Sequence, residues 1–196
     1  MLHKGKLIKD FGSTLTSYRP FNSGVALVGN GKESFFVNTS GEKAFPLIFS
    51  SEDKVSEFHN GYAIINNGIM LPNGKWSVPP SQQYSIKSKA VNDGVVVATQ
   101  QNENKEYVDV IVAARTGKIV AELPSKYTLG YGSSDGLIKY IERESSLEGM
   151  VDRLGKIIIP AKFKRLEKFV SGFAKFTDTK GNIGYINRKQ QLIGER

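Results

Sequence analysis

An apolar residue, two variable positions, a glycine and then an apolar alternation recur along this chain, and that recurrence limits what it can fold into. The pattern reads Phe21…Gly24-Val25-Ala26-Leu27-Val28, then Phe58…Gly61-Tyr62-Ala63-Ile64-Ile65, then Val91…Gly94-Val95-Val96-Val97-Ala98, and Phe169…Gly172-Phe173-Ala174-Lys175-Phe176. A weaker copy is Gly136-Leu137-Ile138-Lys139-Tyr140. Successive marker glycines stand 37, 33, 42 and 36 residues apart. A second marker keeps step with the first. It is a Gly-Lys or Gly-Glu turn followed by an apolar strand, often with proline: Gly5-Lys6-Leu7-Ile8, Gly41-Glu42…Phe45-Pro46, Gly74-Lys75-Trp76, Gly117-Lys118-Ile119 and Gly155-Lys156-Ile157-Ile158-Ile159-Pro160, with a frayed copy at Gln190-Gln191-Leu192-Ile193. Two independent markers at one period are the signature of tandem repeats.

The runs between the markers are β-prone. Apolar residues alternate with period two, and Asn-Gly and Gly-Lys turn signals separate them. Helical spacing shows only at Asp53–Phe58 and Ala161–Val170, and both stretches are short and broken. The sequence therefore predicts an all-β fold of about five tandem β-hairpin or meander repeats, as a single domain over 1–196 with half-repeats at both ends. The marker glycine is expected to need a positive φ or a close backbone approach at strand entry. One such unit cannot bury its apolar face alone, so neighbours must stack. Both an open stacked array and a small five-bladed propeller satisfy that demand. The two terminal half-repeats favour the stack, where they sit at opposite caps instead of competing for one place.

The pattern resembles the WG repeat, a β-rich repeat family. In that repeat a Gly-Leu/Tyr-Ala run is followed by Trp-Gly-Tyr-Ile-Asp, then by a Gly-Lys turn and an apolar strand ending in proline and an aromatic. Gly172–Ala174, Ile183-Gly184-Tyr185-Ile186-Asn187 and Gly155–Phe163 carry the likeness. The signature Trp is absent, its slot holding Ser34, Asn67, Val110, Glu148 and Ile183, and the following Gly survives as Gly68, Gly149 and Gly184. The resemblance implies a divergent binding or adaptor scaffold without shared catalytic residues.

The residues themselves give little for catalysis. There is no cysteine, and the two histidines, His3 and His59, are isolated, so neither a disulfide framework nor a His/Cys metal site is expected. His59, beside Asn60-Gly61, reads as an exposed turn residue. No Ser lies in a Gly-x-Ser-x-Gly elbow. Gly130-Tyr131-Gly132-Ser133-Ser134-Asp135-Gly136 lacks a following helix to present to a phosphate, and reads as a long loop. Glu142, Glu144 and Glu148 read as a solvated edge. No catalytic residue, cofactor or metal is expected. No apolar run is long enough for a membrane helix, and no leader is evident at the N-terminus. A cytoplasmic protein is the expectation.

The charge is +8, and most of the excess lies beyond residue 115, where Lys and Arg number 15 against 9 Asp and Glu. Its densest run is Lys162-Phe163-Lys164-Arg165-Leu166-Glu167-Lys168. An extended backbone there puts Lys162 and Lys164 on one face and Phe163 on the other. Lys162, Lys164, Arg165 and Lys168 are the candidate contacts to a partner, although lysines also guard edge strands against aggregation. The expected function is a non-catalytic scaffold that binds and modulates another protein as inhibitor, immunity factor or adaptor. The irregular stretches Ser81–Asn92, Glu103–Glu106 and Lys126–Gly136 are further candidate contacts. The alternative is RNA binding through the basic C-terminal face, or inhibition of a nucleic-acid enzyme at its RNA or DNA channel.

Overall fold

The computed structural model describes residues 16–193 and, upstream of them, the backbone of two short strands. These are β1 (Leu2–His3) and β2 (Lys6–Leu7), paired antiparallel. The rest of the N-terminal half-repeat and the side chain of His3 lie outside the described residues. Two compact units divide the chain, 1–81 and 82–196.

Every described element is a strand or a turn, as the period-two alternation demands. In the first unit, β3 (Ser17–Tyr18), β4 (Val25–Gly29), β5 (Glu33–Asn38) and β6 (Phe49–Ser50) form one antiparallel sheet in sequence order. β7 (Ala63–Ile65), β8 (Gly68–Met70) and β9 (Trp76–Val78) form the next. The second unit holds three four-stranded meanders. They are β10 (Ser85–Ile86), β11 (Val95–Gln101), β12 (Tyr107–Ala113) and β13 (Ile119–Glu122); then β14 (Tyr127–Ser134), β15 (Leu137–Glu142), β16 (Glu148–Asp152) and β17 (Ile157–Phe163); then β18 (Arg165–Leu166), β19 (Phe173–Thr177), β20 (Ile183–Asn187) and β21 (Leu192–Ile193). Each of the five sheets is one sequence repeat, and none closes into a barrel. The frayed Gln190–Ile193 copy supplies the fourth strand of the fifth sheet.

The marker glycine closes the turn into the second strand of each four-stranded sheet, and into β7 of the second sheet. Ser23-Gly24, Asn60-Gly61, Asp93-Gly94, Asp135-Gly136 and Ser171-Gly172 all have positive φ at both positions. That is the arrangement of a type I′ turn, whose twist matches the strands it joins. The weak fourth marker is thus structurally equal to the others. Where its apolar residue is missing, buried Ser133 donates its hydroxyl to the Asp93 carboxylate.

The Gly130–Gly136 stretch is not the loop that its glycines suggested. Tyr127–Ser134 is an eight-residue strand paired with β15, and its register shifts between Leu129 and Ser133. Gly130 and Gly132 fall in that irregularity, which is where a strand admits glycine.

Alternate side chains on each sheet serve different cores. Val95, Val97, Ile111 and Leu123 of the third sheet pack with Ile138, Tyr140 and Val151 of the fourth. The other face of the fourth sheet, Leu137, Met150, Ile159 and Phe163, packs with Leu166, Ala174, Phe176 and Ile186 of the fifth. In the first unit Phe36 gathers Phe45, Phe49 and Phe58 at centroid distances of 5.5, 6.1 and 4.9 Å.

Candidate interaction face and its acidic clamps

A residue's place in the repeat decides its surroundings, and the hairpin register fixes that place. Asp109 stands opposite Thr99, and Glu148 opposite Ile141, each five positions after a marker glycine on the partner strand. Asp109, not Val110, therefore occupies the slot equivalent to Glu148. The loop between Ala113 and Lys118 is one residue longer than its counterparts, which shifted the sequence reading by one.

The two acids do the same work. Asp109 is buried and accepts from Lys87 Nζ at 2.8 Å, Thr99 Oγ1 at 2.9 Å and the Leu129 N–H at 2.7 Å. Glu148 accepts from Lys139 Nζ at 2.9 Å and from the Leu166 N–H at 2.5 Å. Leu129 and Leu166 lie on the first strand of the following sheet. Each carboxylate thus pins one sheet to the next through a charge-assisted hydrogen bond. Glu148 is therefore not the solvated edge residue expected. Asn67 fills the slot in the second sheet and donates to the Ser81 carbonyl at 2.6 Å. In the fifth sheet the slot holds Ile183.

The position after the slot explains the glycines of the pattern. Tyr140 stands opposite Gly149, and Phe176 opposite Gly184. A Cβ on Gly149 would lie 2.6 Å from Tyr140 Cε1 and 2.5 Å from the Ile159 carbonyl oxygen. A Cβ on Gly184 would lie 2.8 Å from Phe176 Cζ. The third sheet satisfies the same space the other way round, with Ala98 opposite Val110.

The fifth sheet differs from its predecessors in its outer face. By register that face carries Phe173, Lys175 and Thr177 on β19, Ile183, Tyr185 and Asn187 on β20, with Ile193 beside Tyr185 and Arg165 beside Thr177. Phe173 is 43% exposed, Ile183 50%, Tyr185 51% and Ile193 50%. The fourth-sheet counterparts of Phe173 and Tyr185, Leu137 and Met150, are 4% and 1% exposed beneath the fifth.

The four basic residues singled out in the sequence are all exposed, while Phe163 between them is buried, as the extended backbone requires. They fall on and between successive elements. Lys162 lies on β17, the edge of the fourth sheet, with Nζ 3.4 Å from Gln190 Oε1 and 5.4 Å from the Phe163 ring centroid. Lys164 sits between β17 and β18, and Lys168 follows β18. Arg165 shares the outer face of the fifth sheet. Sequence reasoning missed Lys175 and Ile183 as surface residues, because their equivalents on the fourth sheet, Lys139 and Glu148, are held by each other and by the Leu166 N–H of the next sheet. Of the irregular stretches, Glu103–Glu106 is the β11–β12 turn, and Ser81–Asn92 contains β10. Among the described residues no group of three or more His, Asp or Glu could hold a metal ion.

These features define a class, the tandem β-repeat chain, in which two sheets here are tied to the next by an acid in the same slot. Residues 35–76 and 149–178 match the model of the WG containing repeat. Each match contains one type I′ marker turn. No curated protein matches the chain at a significant level. Among solved structures the computationally designed Ika8 protein superposes with a TM-score of 0.52 at 12% identity over 93% of this chain, which supports the fold alone. This chain spans 61% of that designed protein's length. BamB from Moraxella catarrhalis gives a TM-score of 0.33 at 10% identity, covering 88% of this chain and 70% of BamB. A chain of the nidogen/laminin complex gives 0.38 at 9% identity, covering 88% of this chain and 75% of that one.

Proposed function

We propose that this chain is a non-catalytic repeat scaffold that holds another protein on the outer face of its fifth sheet. One observation carries the proposal. The positions that pack the fourth sheet against the fifth recur on the fifth, still bulky and apolar, and there they face solvent. Contiguous exposed apolar surface of this kind marks interaction sites. Tyr and Phe are the residue types enriched in interface cores.

The neighbouring cations favour a second reading. Lys162, Lys164, Arg165 and Lys168 are four exposed positive charges within seven residues, close in sequence to exposed Phe173. Cations interleaved with aromatic faces suit a single-stranded nucleic acid.

Affinity purification of the full chain, with and without nuclease, followed by mass spectrometry separates the two. A stoichiometric protein retained after nuclease is the expected result. Material lost on nuclease treatment supports the nucleic-acid reading. The absence of any stoichiometric protein overturns the first reading.

A further inference from the structure

On the fourth sheet Lys139 stands three residues after marker Gly136, and its ammonium is held by Glu148 at 2.9 Å. On the fifth sheet Lys175 stands three residues after marker Gly172, in the equivalent place. The slot that supplies the carboxylate on the fourth sheet is filled on the fifth by Ile183. Glu167 lies across from Lys175, its N–H donating to the Lys175 carbonyl at 2.8 Å, but among the described residues its carboxylate makes no ion pair with Lys175. Among the described residues Lys175 therefore has no carboxylate partner, on a face that it shares with apolar Phe173, Ile183, Tyr185 and Ile193, polar Thr177 and Asn187, and Arg165.

An apolar partner that covered this face would bury an unpaired charge, which is strongly unfavourable. We propose that the occupant is an acidic partner protein whose contacting surface sets an Asp or Glu carboxylate against Lys175, supplying in trans what Glu148 supplies to Lys139 within the chain. The inference rests on the protein-binding reading above and names the chemistry of its partner. Arg165 on the same face and the C-terminal excess of positive charge draw the same kind of partner. The lone lysine also acts as a filter, because partners without the matching acid are penalised.

The test couples the captured complex with a zero-length carbodiimide, which joins an amine to a carboxylate only where they touch. The full chain is used as wild type and as Lys175→Glu, Lys175→Met, Ile183→Glu and Lys162→Glu/Lys168→Glu. The expected result is an amide between Lys175 and an Asp or Glu of the captured protein. Retention should fall more than about tenfold in Lys175→Glu and Lys175→Met. Ile183→Glu should also weaken retention, by restoring the internal pair. Unchanged thermal midpoints show that the variants are folded. A protein captured equally by Lys175→Glu, or joined only through other lysines, overturns the inference and leaves the protein-binding reading standing. Coupling of Lys175 to a second copy of this chain also overturns it. Capture of no stoichiometric protein removes both.

Discussion

The carboxylate of Asp135 accepts the backbone N–H of Gly172 at 2.9 Å, from the marker turn of one repeat to the marker turn of the next. The contact recurs. Asp93 accepts from Gly136 at 2.8 Å, and Ser23 Oγ accepts from Gly61 at 3.1 Å. One residue therefore has two tasks. It adopts a positive φ, which Asp and Asn tolerate, and it reaches the neighbouring glycine. Substitutions at 135 separate them. Asp135→Asn keeps both and should change stability by less than about 0.5 kcal/mol. Asp135→Gly keeps only the backbone freedom and should cost about 1 kcal/mol for the lost hydrogen bond. Asp135→Ala loses both and should cost the most, about 2 kcal/mol. Urea midpoints rank the three.

Asp93 gives this contact a pH dependence. The Ser133 hydroxyl holds its carboxyl below the ordinary value, helped by the Gly136 N–H and by the Arg153 and Arg188 guanidiniums, while burial acts the other way. A folded-state pKa below the unfolded one means that the stabilisation is complete above the unfolded value, about 3.9. It is lost as pH falls through the folded value. Wild type should therefore lose more stability than Asp93→Asn between pH 6 and pH 2, and the gap between them should narrow below about pH 4. Urea titrations across that window measure the difference. An equal pH slope in the two proteins would remove Asp93 from the account.

The Asp109 clamp is the costliest single group to remove. Its side chain is 4% exposed and serves three donors, among them the Lys87 ammonium. Asp109→Ala leaves Lys87 and the Leu129 N–H without it, and should cost about 3–5 kcal/mol. Lys87→Met in the same chain should recover part of that, because the stranded cation is gone. The interaction energy of the Asp109→Ala/Lys87→Met cycle is the check. Simple additivity would show that the two groups do not act together.

The glycines after the slot are predicted to fail in different ways. In Gly149→Ala the new methyl meets the Ile159 carbonyl and the Ala161 nitrogen as well as the Tyr140 ring. Backbone cannot step aside, so replacing Tyr140 by Leu should not rescue it. In Gly184→Ala the nearest obstacle is the Phe176 ring, and the Ile193 oxygen is 3.4 Å away. Phe176→Leu should therefore restore much of the loss in Gly184→Ala, though it opens some space of its own. Thermal midpoints of the four proteins decide the point.

The strand alternation and both markers were legible in the sequence, because turn chemistry and side-chain period act locally. The markers even located the weak fourth repeat, where buried Ser133 stands in for an apolar residue. The one-residue error at Asp109 arose where local cues fail. An extra residue between Ala113 and Lys118 shifts the count without altering the apolar pattern, and only pairing with Thr99 resolves it. Glu148 looked solvated because Arg143 and Glu144 precede it, yet its partners Lys139 and Leu166 come from other strands. That the outer face stays uncovered was illegible for the same reason. Phe173 and Tyr185 have the residue types of covered positions, and only the arrangement of the sheets leaves them uncovered.

The basic run Lys162, Lys164, Arg165 and Lys168 separates the two functional readings through kinetics. All four side chains are exposed, so changing them to Gln together should leave stability within about 1 kcal/mol. If the captured protein is acidic, the loss of four peripheral charges should slow association at low salt and leave dissociation nearly unchanged. The difference should fade at high ionic strength, where the Debye length falls to about 3 Å. A nucleic-acid contact behaves otherwise. Each cation lost from a phosphate on a single strand should lower the slope of log affinity against log salt by about 0.7. Surface plasmon resonance of the wild type and the fourfold variant, against the captured protein and a single-stranded RNA, distinguishes them. An association-rate effect confined to the protein supports the scaffold reading, and a slope that falls with RNA supports the other.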